Sequence, residues 1–272
     1  MRTGAFATII FVTTLAFSSC SIKEDRSECP CILNLDYSLI RGDERFISAP
    51  SWDSLLVSIP GSYSTIVKMD GYRDIHTIGI PRKKTDLSCY FGMSEHRLKG
   101  GNKELVIPFG EDSDRLFSYH ETLDLGPASE EVFVTPVLCG ESTRIIVEFD
   151  NEAFLGETGI LVATGSTCGL NLWSGRPLEG EFCCTLKSYG DGTWQFNMPR
   201  QASRDIALAA VSATSGNLFF SIDLAAELDS AGYDWNARSL PPLAIVHIDS
   251  KEMTVDARII DWDEAVYLDF TL

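Results

Sequence analysis

The stretch Ile32-Leu33-Asn34-Leu35-Asp36-Tyr37 decides the class of fold. Leu33, Leu35 and Tyr37 fall on one face and Asn34 and Asp36 on the other, the period-two pattern of a strand half buried against a core. Working outward, similar short runs occupy 55–59, 77–80, 87–91, 105–107, 116–119, 132–138 and 144–149. Turn formers separate them: Gly61-Ser62, Asp70-Gly71, Gly100-Gly101, Gly110-Glu111-Asp112 and Gly140-Glu141-Ser142 each offer permissive backbone or a local side-chain hydrogen bond. A second series follows Gly175-Arg176-Pro177, with runs at 182–186, 193–198, 205–211, 218–222, 243–248 and 255–260. Strands this short at this spacing predict an all-β fold of two β-sandwich domains in tandem.

One short helix is expected in the second domain. Asp223 can cap it, Leu224 and Leu228 share a face at i and i+4, and Gly232 can end it. The boundary is placed near residue 178, giving domains at 31–178 and 179–272, although no Pro/Ser-rich linker marks it.

Composition removes several functions. Apolar residues make up 44% and charged residues 22% of 272, which describes a globular chain. Against 39 Asp+Glu stand 22 Lys+Arg, a formal net charge of −17, and such a field repels phosphate backbones. Nucleic acid is therefore not expected as a partner.

The N-terminus carries one charge, Arg2, and then an uncharged run from Ala5 to Phe17. That run has the pattern of a signal peptide and is too short for a hydrocarbon core of about 30 Å. Ser18-Ser19 lead directly into Cys20, so residues 1–19 read as a signal peptide and Cys20 as the acylated first residue of a linker over 20–30. The plainer alternative is a secreted protein in which Cys20 joins a disulfide. Seven cysteines then remain: Cys29, Cys31, Cys89, Cys139, Cys168, Cys183 and Cys184. Seven is odd, so disulfides would leave a thiol over, and buried reduced thiols are an equal reading.

No catalytic, cofactor or metal constellation is expected. Cys29-Pro30-Cys31 and Cys183-Cys184 are too tight for zinc spacing, and His76, His96, His120 and His247 lie in no His-Glu-x-x-His arrangement. Gly165-Ser166-Thr167-Cys168-Gly169 has Thr at its centre where a nucleophile elbow needs Ser, and it reads as a turn. Asp261, Asp263 and Glu264 are what chance provides among 39 acids.

Several pieces in order carry a resemblance. Cys20-Ser21-Ile22-Lys23-Glu24-Asp25-Arg26-Ser27-Glu28-Cys29-Pro30-Cys31 leads into the first strand. Downstream come Met198-Pro199-Arg200-Gln201, Gly232-Tyr233-Asp234-Trp235, Leu240, Ile248-Asp249 and Ile260-Asp261-Trp262. Together they resemble the Bacteroidota fimbrial anchor lipoproteins, the FimB-like base subunits of type V pili, and Lys23-Glu24-Asp25 looks like the export tag of surface lipoproteins of that phylum. The resemblance implies two transthyretin-like sandwiches, an N-terminus acylated at Cys20 in the outer membrane, and a non-catalytic role at the base of a fimbria, with shaft pilin subunits as partners. A surface glycan- or ligand-binding lipoprotein, stacking sugars on Trp173 or Trp194, is the alternative, and a secreted hydrolase ranks last.

At the C-terminus Val266, Leu268, Phe270 and Leu272 alternate with Tyr267, Asp269 and Thr271. These four apolar residues form either the last strand of the second domain's core or a donor strand lent to a pilin.

Overall fold

The computed structural model describes residues 29–42, 54–69, 74–126, 128–150, 159–190, 192–249, 251–252 and 254–261. The chain up to residue 141 contributes β1 (Cys31–Asp36), α1 (Ser38–Gly42), β2 (Ser54–Ile59), β3 (Tyr63–Lys68), β4 (Ile75–Ile80) and β5 (Thr85–Phe91). It continues with β6 (Leu98–Lys99), β7 (Glu104–Val106), β8 (Phe117–Leu123), β9 (Glu131–Val134) and β10 (Cys139–Gly140). Then follow β11 (Ser142–Phe149), β12 (Gly159–Asn171), β13 (Arg176–Thr185), β14 (Lys187–Gly190), β15 (Thr193–Pro199) and β16 (Ala207–Ser212). The last elements are β17 (Leu218–Ile222), α2 (Leu224–Ser230), β18 (Leu243–Asp249) and β19 (Thr254–Ile260).

In the first half a three-stranded sheet, β4-β1-β9, faces a five-stranded one, β10-β8-β5-β2-β3. The alternation at β1 does what its pattern predicts. Leu33 and Leu35 point inward with Ile78, Ile80 and Val134 to meet Val57, Leu87, Cys89, Phe91 and Phe117 from the opposite sheet. Ile32, on the outer face, is exposed. Central β2 is buried on both faces: Leu55, Val57 and Ile59 enter this core, and Leu56 turns the other way.

The second half repeats the plan. Sheet β14-β15-β11-β18-β19 packs on sheet β17-β16-β12-β7-β6, to which β13 adds along β12. Ile145, Val147, Phe196, Val246 and Ile248 meet Leu161, Ala163, Leu208 and Ala210 in its core. α2 closes one side. The Asp223 carboxylate caps it by accepting from Ala226 N at 3.1 Å, Leu224, Ala225 and Leu228 are buried, and Gly232 at φ +83° takes the left-handed turn that ends it. Two sandwiches in tandem with a short helix in the second are thus what the chain forms, and α1 is an additional helix that the sequence reading did not anticipate.

Three expectations need correction. The boundary near residue 178 falls inside β13, which pairs with β12, and β11 and β12 already belong to the second pair of sheets. The sheets change hands near residue 141. Even that division is crossed, because β7 leaves the first half to pair with the far end of β12, Leu105 opposite Leu170, and β6 pairs on the outside of β7. Alternation reports that a segment is a strand and says nothing of which sheet receives it, so this exchange was invisible in the sequence.

Residues 165–169 are not a turn. They are the irregular middle of β12, with register shifts between Gly165 and Thr167 and between Thr167 and Gly169. Here glycine serves a bulge and a close approach, since a Cβ on Gly169 would stand 2.1 Å from the Leu105 carbonyl oxygen. The run 132–138 is likewise not one strand: β9 ends at Val134, and the chain passes Pro136 to reappear as β10 in the opposite sheet.

Candidate functional site

Two parts of the described fold gather its polar ties and its exposed apolar side chains: the junction between the halves and the sheet edges. The junction starts from residues on the outer face of the first five-stranded sheet. Leu56 and Tyr90 project from it with Met93 and Leu116 to meet Leu105 of the exchanged strand β7 and Leu170 and Leu172 of the second half. The Tyr90 hydroxyl donates to the Leu172 carbonyl oxygen at 2.8 Å, and burial pushes its phenol far above the ordinary tyrosine value. His120, its neighbour on β8, shares a 2.9 Å hydrogen bond between Nδ1 and the Ser88 hydroxyl and stands edge-on to the Tyr90 ring. Burial lowers the His120 pKa, which the Glu141 carboxylate opposes and the Arg200 guanidinium reinforces.

Glu141 is the polar centre of the seam. Its side chain is buried, and it accepts from Ser118 of β8 and from Arg200 at once. Arg200 in turn donates to the carbonyl oxygens of Ala237 at 3.0 Å and Arg238 at 3.2 Å. Leu240 N donates to Gly140 O, and Gly140 N donates to Ser239 Oγ. The Thr143 and Tyr233 hydroxyls share a 2.7 Å hydrogen bond, and burial pushes the Tyr233 phenol up to about 12. Segments picked out in the sequence as separate pieces, Met198–Gln201, Gly232–Trp235 and Leu240, therefore converge on Gly140–Thr143. Glu141 itself was missed; one acid among 39, inside what reads as a turn, carries no mark.

A second set of polar ties runs through the 94–114 segment. Arg97, nearly buried, pairs with Glu111 at 2.9 Å and Asp114 at 3.1 Å. Asp112 accepts from Asn197 N and Asn197 Nδ2 and from Ser113 N, yet burial wins and pushes its carboxyl up to about 6.

The sequence-predicted site residues divide. Cys20 and the terminal residues Val266, Leu268, Phe270 and Leu272 lie outside the described residues, as do Asp263 and Glu264. Trp194 is not available for stacking on a sugar: it is buried in the second core, edge-on to Phe149 at 5.5 Å. Trp173 lies in the turn between β12 and β13 with the Lys103 ammonium 4.3 Å above its ring. Trp235 plugs the end of α2, its indole N–H donating to Asp229 at 2.7 Å. The seven cysteines after Cys20 are free thiols; Cys31, Cys89 and Cys184 are buried, and Cys29 is exposed. No described helix is long and apolar enough to cross a membrane.

Several edges present apolar side chains to solvent, among them Phe133 on β9, Tyr189 on β14 and Leu218 and Phe219 on β17.

Comparison with solved structures identifies the architecture. The fimbrial anchor protein Mfa2 from Porphyromonas gingivalis matches with a TM-score of 0.54 over 86% of this chain and 98% of its own, at 14% identity. A candidate polysaccharide-binding protein from Bacteroides thetaiotaomicron matches at 0.55, covering 86% and 99%, with 12% identity. A candidate adhesin from Bacteroides ovatus matches at 0.54, covering 81% and 88%, with 14% identity. At these identities the likeness is one of fold. No family model matches the chain, and no curated protein matches it.

Proposed function

We propose that the chain is a non-catalytic lipoprotein of the cell outer membrane that anchors a fimbria at its base and terminates assembly there, with shaft pilin subunits as its partners. The observation that carries this reading is the end-to-end likeness of fold to a fimbrial anchor protein, 86% of this chain against 98% of that one. The N-terminal sequence supports it. Cys20 stands where an acylated cysteine belongs, and several acyl chains at about 0.8 kcal/mol per buried methylene would hold the body firmly to a membrane. The junction suits the same role, because an anchor under tension needs two halves that do not swivel, and Glu141, Arg200 and the Tyr90–Leu172 bond tie them.

A strain lacking the gene, viewed by electron microscopy, tests the reading: shed or abnormally long fimbriae are expected, and fimbriae of normal length and attachment would overturn it. Cys20→Ala should release the protein from membranes, and an intact mass showing an unmodified N-terminus beyond residue 20 would remove the lipid anchor. Truncation after Glu264 distinguishes the roles of Val266, Leu268, Phe270 and Leu272. A core strand predicts a destabilised protein, and a donor strand predicts a stable one that no longer captures pilin. Glycan binding is the less favoured reading, because Trp194 is buried and Trp173 is covered by Lys103.

A further inference from the structure

Arg82-Lys83-Lys84 is the one place in the sequence where lysines and arginines stand side by side, in a chain that carries 39 acids against 22 bases. The run forms the turn between β4, which ends at Ile80, and β5, which begins at Thr85. That turn is closed on itself: Lys83 N donates to the Pro81 carbonyl oxygen at 2.9 Å, and the Thr85 hydroxyl donates to the Lys83 carbonyl oxygen at 2.9 Å. Thr85 is buried, whereas Lys83 and Lys84 are exposed. Two of the acids at the same end are engaged on the sheets, since Asp86 accepts from the Thr122 hydroxyl and Glu131 accepts from the Asn34 amide.

The N-terminal linker enters the fold at this end. Cys31, the first residue of β1, pairs with Ile80, and Pro30 lies against Gly79, where a Cβ would stand 3.2 Å from the proline's own. Pro30 is ten residues from Cys20, so an acylated Cys20 keeps the basic turn within about 35 Å of the lipid. The junction with the second half lies the other way. β5 runs from Thr85 beside the turn to Phe91, about 20 Å on, and Met93 just beyond it belongs to the junction. β8 agrees: Leu123 pairs with Thr85 at the basic end, and Leu116, before the strand's other end, packs into the junction.

We propose that Lys83 and Lys84, with Arg82 beside them, dock on the phosphate headgroups of an anionic lipid surface and so set which end of the tethered body faces the membrane. A chain at −17 is repelled by such a surface as a whole, but at a Debye length of about 8 Å only the charges nearest the lipid are felt. Each lysine brought to an anionic surface strengthens binding about fivefold, and the tether makes that contact intramolecular, so two or three bases suffice. The docked body holds the first sandwich at the lipid and carries the second half away from it. The proposal rests on the reading of Cys20 as the acylated residue and assigns the surface that meets the membrane.

The test supplies its own tether. The mature chain from residue 20, with Cys20→Ala and an N-terminal histidine tag, is held on vesicles of phosphatidylcholine and nickel-chelating lipid, with or without about 30% phosphatidylglycerol. Lys83→Gln combined with Lys84→Gln should weaken binding to the phosphatidylglycerol vesicles by about tenfold or more, leave binding to the neutral ones unchanged, and lose its effect in added salt. Both side chains are exposed, so the urea midpoint of the variant should match that of the parent. A second measurement needs no variant: labelling of lysine amines on phosphatidylglycerol vesicles should slow about fivefold at Lys83 and Lys84 and stay unchanged at Lys187 and Lys251 of the second half. Equal binding of the two proteins to anionic vesicles, a difference that persists in salt, or slowed labelling at Lys187 or Lys251 in place of the turn would each overturn the proposal. The lipid-anchor reading fails elsewhere, in cells, if Cys20→Ala leaves the protein on membranes.

Discussion

Arg200 Nε stands 2.5 Å from Glu141 Oε2 while Glu141 Oε1 accepts the Ser118 hydroxyl, so one carboxylate joins β8 of the first half to the end of β15 in the second. Both charged side chains are largely out of water. Arg200→Met therefore leaves a buried carboxylate unpaired, and a loss of about 3–5 kcal/mol in urea-unfolding free energy is expected. Arg200→Met combined with Glu141→Gln should recover part of that loss, because the uncompensated charge is gone. An additive double variant would show that the pair does not act as a pair.

Acid should help where Asp112 is concerned. Its folded-state pKa of about 6 lies above the roughly 3.9 of an unfolded aspartate, so the folded chain holds the proton more tightly. The stabilisation linked to that proton is present at acid pH and is lost as pH rises through about 6. Between pH 7 and pH 5 the wild type should gain about 1 kcal/mol relative to Asp112→Asn, whose side chain does not titrate. A difference between the two proteins that stays constant over this range, read from urea midpoints at each pH, would refute the assignment.

Thiol chemistry should separate the cysteines by depth. Cys89 and Cys184 are buried, and burial pushes both thiols well above the ordinary cysteine value, so neither offers a thiolate at neutral pH. Cys29 is exposed. Labelling of the native protein with a thiol reagent should mark Cys29 within the first phase, and Cys89 and Cys184 only after denaturant is added. Labelling of Cys89 in the native protein would contradict the first core as described.

Gly169 offers a test of the seam between β7 and β12. A methyl group at that position would meet the Leu105 carbonyl oxygen at 2.1 Å, a contact that backbone cannot relieve without moving. Gly169→Ala should lower stability by more than the few tenths of a kcal/mol typical of a surface change. Faster hydrogen exchange should appear at 104–106, with the first core unaffected.

What the sequence discloses and what it withholds follow from the physics of strands. Period-two alternation located β1, β5, β11, β15, β18 and β19 because side chains of each alternate between a sandwich core and the opposite face of its sheet. It missed β3, and it missed β12, the strand that pairs with β16, β13 and β7 in turn. In β12 the glycines at 165 and 169 imitate a turn; the bulge they make is set by pairing with the next strand, β13, and the close approach at Gly169 is to Leu105, remote in sequence. The helix was legible down to its cap because Asp223, Leu224, Leu228 and Gly232 interact within a few residues. The junction was not, since Ser118, Glu141 and Arg200 meet only after both halves have folded.

The exchanged segment also sets an order of events when the chain is made. Synthesis runs from the N-terminus, so Leu98–Lys99 and Glu104–Val106 emerge while the strand that will hold them, ending at Asn171, does not yet exist. The first sandwich can close around its own core with this hairpin still waiting outside. Its Leu105 can rest on Leu56 and Tyr90 but has no cross-strand partner until Leu170 arrives. A chaperone would find its substrate in that interval, and a chain interrupted before residue 171 would keep the unpaired hairpin as a permanent defect.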